Sequence, residues 1–158
     1  MTLDQAIEIA VSEDHAPNRD QVREIVTTFG EKSNYGVTYF ENEHNLGYDG
    51  NLRACIQRAS GEFFMYMGDD DYFLPGTLNG FLKFLHEHED CGYILRSYRG
   101  GREGDKELED FKYFPDDRRF EPGVDTAISL YKRSVTLSGL TFNVACALEF
   151  ETKEFDGS

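Results

Sequence analysis

Three consecutive aspartates, Asp69, Asp70 and Asp71, have the clearest potential for chemistry in this chain. They follow an apolar run at residues 63–67, which predicts a strand buried on both faces. Adjacent carboxylates repel one another unless a cation or hydrogen bonds offset the repulsion. Because Mg²⁺ and Mn²⁺ prefer oxygen ligands, the three aspartates predict a divalent metal site with room for phosphate oxygens. The alternative is a solvated acidic turn that caps the next helix.

A second pair of acids, Glu13 and Asp14, follows another short apolar run at residues 7–11. In open α/β sheets the ligand crevice lies at the carboxyl ends of the strands. We therefore expect both acids at the same edge as the aspartates, where they could accept hydrogen bonds from a nucleobase or a ribose. An ordinary helix-capping loop is the alternative.

A glycine-containing loop at residues 45–51 forms a third candidate segment. Gly47 and Gly50 permit a close backbone approach or a positive φ angle. Asn45 and Asn51 carry amides that could point into the same site. A plain turn is the alternative here too.

The elements that position these loops alternate regularly along the first hundred residues. Short apolar or β-branched runs predict strands at 7–11, 36–40, 63–67 and 91–98. Between and after them, apolar residues at helical spacing predict helices around Val22–Phe29, Leu52–Ala59, Leu78–Leu85 and Val124–Tyr131. This order predicts an α/β fold with a mostly parallel, Rossmann-like sheet flanked by helices. Residues 99–122 lack the pattern, and 138–158 fit either strand or helix.

Composition narrows the function classes. A chain of 158 residues allows one domain, and its net charge of −14 disfavours nucleic-acid binding, because phosphate backbones would be repelled. An anionic ligand would need a bridging cation. The three cysteines fit neither a zinc motif nor a disulfide framework, which suits a reducing cytoplasm. No apolar run is long enough to span a membrane, and no signal peptide is visible. Arg96 and Arg99 come after Ile94, at the end of the predicted strand 91–98; solvated positions are expected for them, and contact with a phosphate is the alternative.

Residues 45–78 resemble the core of family 2 glycosyltransferases, which have a GT-A fold. The family's N-x-G loop matches Asn45 and Gly47, and its A-x-G-E helix end matches residues 59–62. A buried strand and an acidic DxD-type motif follow in both. Residues 7–20 are similar to the family's second strand and its acidic nucleotide-contacting loop. The resemblance covers residues 7–95 well and the rest weakly.

The resemblance implies transfer of a sugar from a nucleotide-diphosphate donor to an acceptor hydroxyl on a saccharide or a lipid-linked molecule. It implies that Mg²⁺ or Mn²⁺ is bound by the DxD acids, which are Asp69 and Asp71 in one register and Asp70 and Asp71 in another. Glu13 and Asp14 fall on the acids that contact base and ribose. Residues 1–158 would form one GT-A domain, with donor binding at 7–98 and an acceptor-side segment at 99–158. A role in cell-envelope or polysaccharide biosynthesis, in the cytoplasm or peripherally at the inner membrane face, is implied as well.

Two departures from the family pattern bear on activity. Nothing before Ile7 supplies the family's first strand with its P-x-Y-N-like loop, and no catalytic base stands out among four downstream acids. Those acids are Glu149, Glu151, Glu154 and Asp156. We therefore expect an incomplete fold, a fragment that lacks the first strand and the acceptor region, with an open sheet edge that could support self-association. The alternative to an active enzyme is a degenerate GT-A-like module that binds without turnover.

Overall fold

A computed structural model describes residues 7–102, 107–134 and 136–149 of the chain. Strands and helices alternate through the first half, as the sequence predicts. In chain order the elements are β1 (Glu8–Glu13), α1 (Arg19–Lys32), β2 (Gly36–Glu41), α2 (Gly47–Arg58), β3 (Phe63–Met65), α3 (Thr77–Glu87), β4 (Tyr93–Leu95), β5 (Tyr98–Gly100), β6 (Glu109–Phe111), α4 (Val124–Tyr131), a 3-10 turn (Leu137–Gly139), β7 (Leu140–Asn143) and α5 (Val144–Glu149). The α/β class is confirmed.

The described strands form three small sheets. β1 and β2 pair in parallel, with Glu13 opposite Glu41 at their carboxyl ends. β7 lies between β3 and β4 and is antiparallel to both, so that β3 and β4 run in the same direction. β5 and β6 form a separate antiparallel pair. The predicted parallel arrangement therefore holds for the β1–β2 pair and for the directions of β3 and β4. β7 lies in the segment 138–158 that fitted either strand or helix, and its antiparallel pairing was not predicted.

Helix α1 packs on β2 with only part of its apolar stripe. The helix continues past Phe29, where the predicted helical spacing ends, to Lys32. Gly30 lies beside Val37 of β2, at a distance where a Cβ on Gly30 would make an ordinary van der Waals contact of 3.5 Å with Cβ of Val37. Val22 and Val26 are partly buried, whereas Ile25 and Phe29 are exposed. Only half of the predicted apolar stripe thus faces the sheet.

Little of the described chain is deeply buried. Ala54 on α2 and Ile94 on β4 are the hydrophobic residues classed as buried, each 8% exposed. The apolar stripe of α4 forms a helix as predicted, yet Val124, Ile128 and Tyr131 are 74%, 71% and 79% exposed. β3, predicted to be buried on both faces, is partly exposed along its length. Within the described ranges no helix has the length and apolar character needed to cross a membrane.

Candidate functional site

A buried amide, Asn42, organises the edge at which β1 and β2 end. The residue follows β2 directly and is 4% exposed. Its backbone N–H donates to the carbonyl of Glu13 at 3.0 Å, and its Nδ2 donates to Asp14 Oδ1 at 2.9 Å and to Asn51 Oδ1 at 3.0 Å. Its Oδ1 accepts from Arg58 Nη2 at 2.9 Å. Asn42 therefore joins both strand ends to α2, although its position in the sequence gives no sign of this role.

Glu13, the last residue of β1, is bonded inside the protein. Its Oε2 accepts hydrogen bonds of 3.2 Å from Arg19 Nε and Nη2, and its Oε1 accepts one from the backbone N–H of Ala16. Burial raises the pKa of this carboxyl, but the bonds from Ala16 and Arg19 outweigh burial and leave the pKa below its usual range. His15 between them has a φ of 62°, a left-handed conformation that turns the chain back toward α1. Glu13 thus fixes the loop between β1 and α1.

Asp14 lies at the amino end of α2. Its Oδ1 accepts from the backbone N–H of Leu46 at 2.8 Å as well as from Asn42. Burial raises its pKa, yet these bonds and one from the Gly47 N–H lower it further than burial raises it. The first N–H groups of a helix lack intrahelical partners, so a carboxylate there is favourable. Asp14 is held in its ionised form beside a loop that remains open to solvent.

The loop at 45–47 starts helix α2. Asn45 Oδ1 accepts a 2.8 Å bond from the N–H of Gly47, and Gly47 has a φ of 73°, which a side chain would strain. Both residues are exposed. Their backbone is therefore fixed while one face stays accessible.

Asn51 ties α2 to the end of β1. Its Oδ1 accepts a 2.7 Å bond from Ser12 Oγ, and its Nδ2 donates to the Ser12 carbonyl at 3.4 Å. Arg58 Nη1 donates to the same Ser12 hydroxyl at 2.8 Å. The structure thus brings five predicted site residues together: Glu13, Asp14, Asn45, Gly47 and Asn51. Glu13 and Asn51, however, use their polar atoms for hydrogen bonds inside the protein.

The three aspartates occupy an exposed loop after β3, and two of them turn toward one glycine. Asp70 Oδ1 and Asp71 Oδ2 lie 2.9 and 3.3 Å from the position that a Cβ on Gly68 would take. A side chain at residue 68 would displace both carboxylates. The backbone N–H of Gly68 donates to Ser138 Oγ at 2.8 Å, which anchors the loop to the turn before β7.

Of the three aspartates predicted to bind a metal, the structure places Asp70 and Asp71 near one point. In the ranges 7–102, 107–134 and 136–149, no three His, Cys, Asp or Glu side chains are grouped to hold a metal ion. Mg²⁺ is commonly held by one or two carboxylates and completed by water and substrate phosphates. The pair Asp70 and Asp71 over Gly68 fits that donor set.

Tyr66, three residues before Asp69, connects the end of β3 to helix α2, which carries Asn51. Its hydroxyl donates a 2.9 Å bond to the carbonyl of Leu52, the residue after Asn51. Burial is the main reason why the pKa of Tyr66 rises to about 12. Of the four acids considered for a catalytic base, Glu149 ends α5, while Glu151, Glu154 and Asp156 lie outside the described residues.

Comparison with known proteins gives these loops a family context. A protein of Campylobacter jejuni named GalNAc(5)-diNAcBac-PP-undecaprenol beta-1,3-glucosyltransferase is 29% identical over 114 residues, covering 65% of this chain and 36% of that protein. The crystal structure of S. aureus TarS 1–349 superposes with a TM-score of 0.66 and 23% identity, covering 91% of this chain and 40% of the other. The chain thus spans well under half the length of these relatives, and the superposition confirms the expected GT-A fold. Residues 2–137 match glycosyl transferase family 2, and the chain belongs to that family.

Proposed function

We propose that this chain is the donor-binding part of a glycosyltransferase and that it takes a nucleoside-diphosphate sugar. The observation that carries the proposal is the placement of Asp70 and Asp71 over Gly68, in the loop after β3. Tyr66 bonds this region to helix α2, whose Asn51 is bonded to Asn42. Residues 7–98 supply the side chains that bind the donor, and residues 99–158 belong to the acceptor side, apart from Ser138, which supports the donor loop. Transfer of the sugar to an acceptor hydroxyl is the reaction.

The nucleoside is bound beside Asp14, Asn45 and Gly47. Asp14 is ionised and borders solvent, so it can accept hydrogen bonds from ribose hydroxyls or a base N–H. Glu13 and Asn51 support this loop from inside, since their polar atoms bond to Arg19, Ala16 and Ser12. We assign them to positioning of the nucleotide loop.

The diphosphate is bound through Mg²⁺ or Mn²⁺ held by Asp70 and Asp71. Asp69 is the first acid of the same motif and lies beside this site in the sequence. A net charge of −14 would otherwise repel a diphosphate. When bound, the divalent ion supplies charge stabilisation for the leaving nucleoside diphosphate. Gly68 leaves the space over which the two carboxylates converge, and Ser138 fixes its backbone.

The acceptor is a saccharide, and a lipid-linked one fits best. The Campylobacter relative is named for a saccharide on PP-undecaprenol, and the chain shares 29% identity with it. A lipid-linked acceptor places the protein in the cytoplasm or peripherally at the inner face of the membrane, in polysaccharide or cell-envelope biosynthesis.

Thermal unfolding with nucleotides and metal tests donor binding. Uridine and guanosine diphosphates are added separately, with and without Mn²⁺, and the melting temperature is followed. At a ligand concentration about a hundred times Kd, binding stabilises the folded state by about 2.7 kcal/mol, which raises the melting temperature by several degrees. We expect a rise only with a nucleotide and Mn²⁺ together. No rise with either nucleotide would contradict the proposal.

A matched pair of variants makes the test specific. Asp71→Asn removes one proposed ligand, and Asp125→Asn removes an exposed carboxylate in the first turn of α4. Both change the net charge by the same amount. The Mn²⁺-dependent rise should disappear in the first variant and persist in the second. Equal loss in both would indicate a general charge effect instead.

Two further proposals concern activity and assembly. A module that binds the donor without turnover is the second candidate, because no acid in the described part of the chain is identified as a catalytic base. Donor hydrolysis or sugar transfer by this chain, lost in Asp71→Asn, would exclude that candidate.

We also propose self-association through an open sheet edge, because few apolar residues are buried in the described part of the chain and α4 exposes an apolar face. Sedimentation velocity should then show mass rising with protein concentration.

A further inference from the structure

Arg96 is a partly buried cation with neutral surroundings. It follows β4, and its guanidinium carbon lies 4.9 Å from the ring centroid of Phe73 and 4.4 Å from that of Phe81. Its Nη2 donates to Met65 Sδ at 3.0 Å and to the carbonyl of Ser138. No acidic side chain in the described part of the chain forms an ion pair with it. Its Nε is buried without a hydrogen-bond partner.

Such a residue is costly for the fold. Burial of a charge without a counter-ion disfavours the charged form, and burial lowers the pKa of Arg96 accordingly. Contacts with two aromatic rings recover part of the cost, about 0.5–2 kcal/mol each in general. An apolar side chain of similar length would fill the space between Phe73 and Phe81 at lower cost. Filling the core therefore does not account for an arginine.

The guanidinium of Arg96 is linked to the aspartate loop through Ser138. Arg96 holds the 3-10 turn twice, since its backbone N–H donates to the Gly139 carbonyl at 3.0 Å and its side chain bonds the Ser138 carbonyl. Ser138 in turn accepts the Gly68 N–H with its hydroxyl, across 70 residues of chain. Gly68 is the residue over which Asp70 and Asp71 converge.

We propose that Arg96 is a positioning residue for the donor site: it clamps Ser138, so that Ser138 Oγ fixes Gly68 and with it the carboxylates of Asp70 and Asp71. The inference rests on the proposed donor site for its functional meaning. The chain of contacts itself runs through Arg96, Ser138 and Gly68 alone.

Amide hydrogen exchange tests the clamp without any ligand. Ser138→Ala removes the acceptor for the Gly68 N–H, and Arg96→Met removes the cation but keeps an unbranched side chain. Both variants should speed exchange at Gly68 by about tenfold, the factor expected for loss of one hydrogen bond. Arg96→Lys keeps a donor and should restore part of the protection. Ser129→Ala on α4 and Arg99→Met, an exposed arginine paired with Asp110, are the controls.

Binding of Mn²⁺, measured with the metal alone and with uridine or guanosine diphosphate, gives the functional readout. Ser138→Ala and Arg96→Met should each weaken binding about tenfold, and the double variant should lose little more, because both act through one linkage. Unchanged exchange at Gly68 in both variants would overturn the clamp. Faster exchange in a protein that binds no Mn²⁺ would support the clamp and contradict the proposed donor site. Faster exchange with unchanged Mn²⁺ affinity would overturn the positioning role.

Discussion

Asn42 donates a 2.9 Å hydrogen bond to Asp14 across the carboxyl ends of two neighbouring parallel strands. The register of β1 and β2 creates this contact, since Glu13 lies opposite Glu41 and the next residue of each strand follows at the same edge. A second carboxylate at residue 42 would repel Asp14, whereas an amide can donate to it and still accept from Arg58. The pairing keeps Asp14 ionised and directed toward the start of α2.

Asn42→Ala should destabilise the fold. The substitution removes one hydrogen-bond partner from each of Asp14, Asn51 and Arg58, and a buried polar group left unsatisfied costs about 1–3 kcal/mol. Urea unfolding measures the change in free energy. Asn79→Ala, at an exposed position on α3, is the matched control and should be nearly neutral. Equal stability of the two variants would show that Asn42 does not hold the strand ends together.

Glu13 should make the folded state sensitive to acid. Its pKa in the fold is lower than its ordinary value of about 4.3, so ionised Glu13 stabilises the protein above that pH. This contribution is lost as the pH falls through the folded-state pKa. Glu13→Gln, which keeps a hydrogen-bond acceptor for Ala16, should flatten the decrease in unfolding free energy below about pH 4.3. Chemical denaturation at a series of pH values checks this, and parallel curves for variant and parent would contradict it.

Local sequence patterns predicted much of the fold and missed its long-range pairings. The apolar runs and helical spacings located β1, α1, β2, α2 and α3, because the periodicity of apolar residues is a local property that the sequence shows directly. Residues 138–158 fitted either strand or helix, and they contain both β7 and α5; the pairing of β7 could not be predicted, since a four-residue strand gives little periodicity and its partners are far away in the chain. Helix α1 extends beyond Phe29, its predicted end, to Lys32, because the polar residues of the last turn carry no apolar periodicity that would mark them as helical.

The candidate site was predictable where it follows strand ends. Asp14, Asn45 and Gly47 were expected at one edge, and the structure places them there. Ser138 could not be anticipated, because it reaches Gly68 from a distant turn. Arg99 is exposed as expected, but the solvated position expected for Arg96 was wrong, since residue types alone do not show that Phe73 and Phe81 enclose it.

Tyr66→Phe should loosen the link between β3 and α2. The variant loses the 2.9 Å bond to the Leu52 carbonyl while keeping the ring, which packs edge-on against Phe64 at 4.6 Å. Loss of one such bond costs about 0.5–1.5 kcal/mol. Tyr72→Phe removes a hydroxyl from a side chain that is 71% exposed and should cost nothing measurable. Urea midpoints compare the two, and an equal effect would indicate that the Tyr66 hydroxyl carries no structural role.

The register of the acidic motif can be decided by three single substitutions. Asp70 Oδ1 and Asp71 Oδ2 both lie close to the Cβ position of Gly68, so we expect the pair at 70 and 71 to bind the metal. Asp70→Asn and Asp71→Asn should abolish the Mn²⁺-dependent stabilisation by a nucleotide, and Asp69→Asn should retain most of it. The melting temperature with nucleotide is measured over a range of Mn²⁺ concentrations. All three variants lose one charge, so a general electrostatic effect would weaken binding equally. Loss in Asp69→Asn with retention in Asp70→Asn would instead assign the metal to the outer acids of the motif.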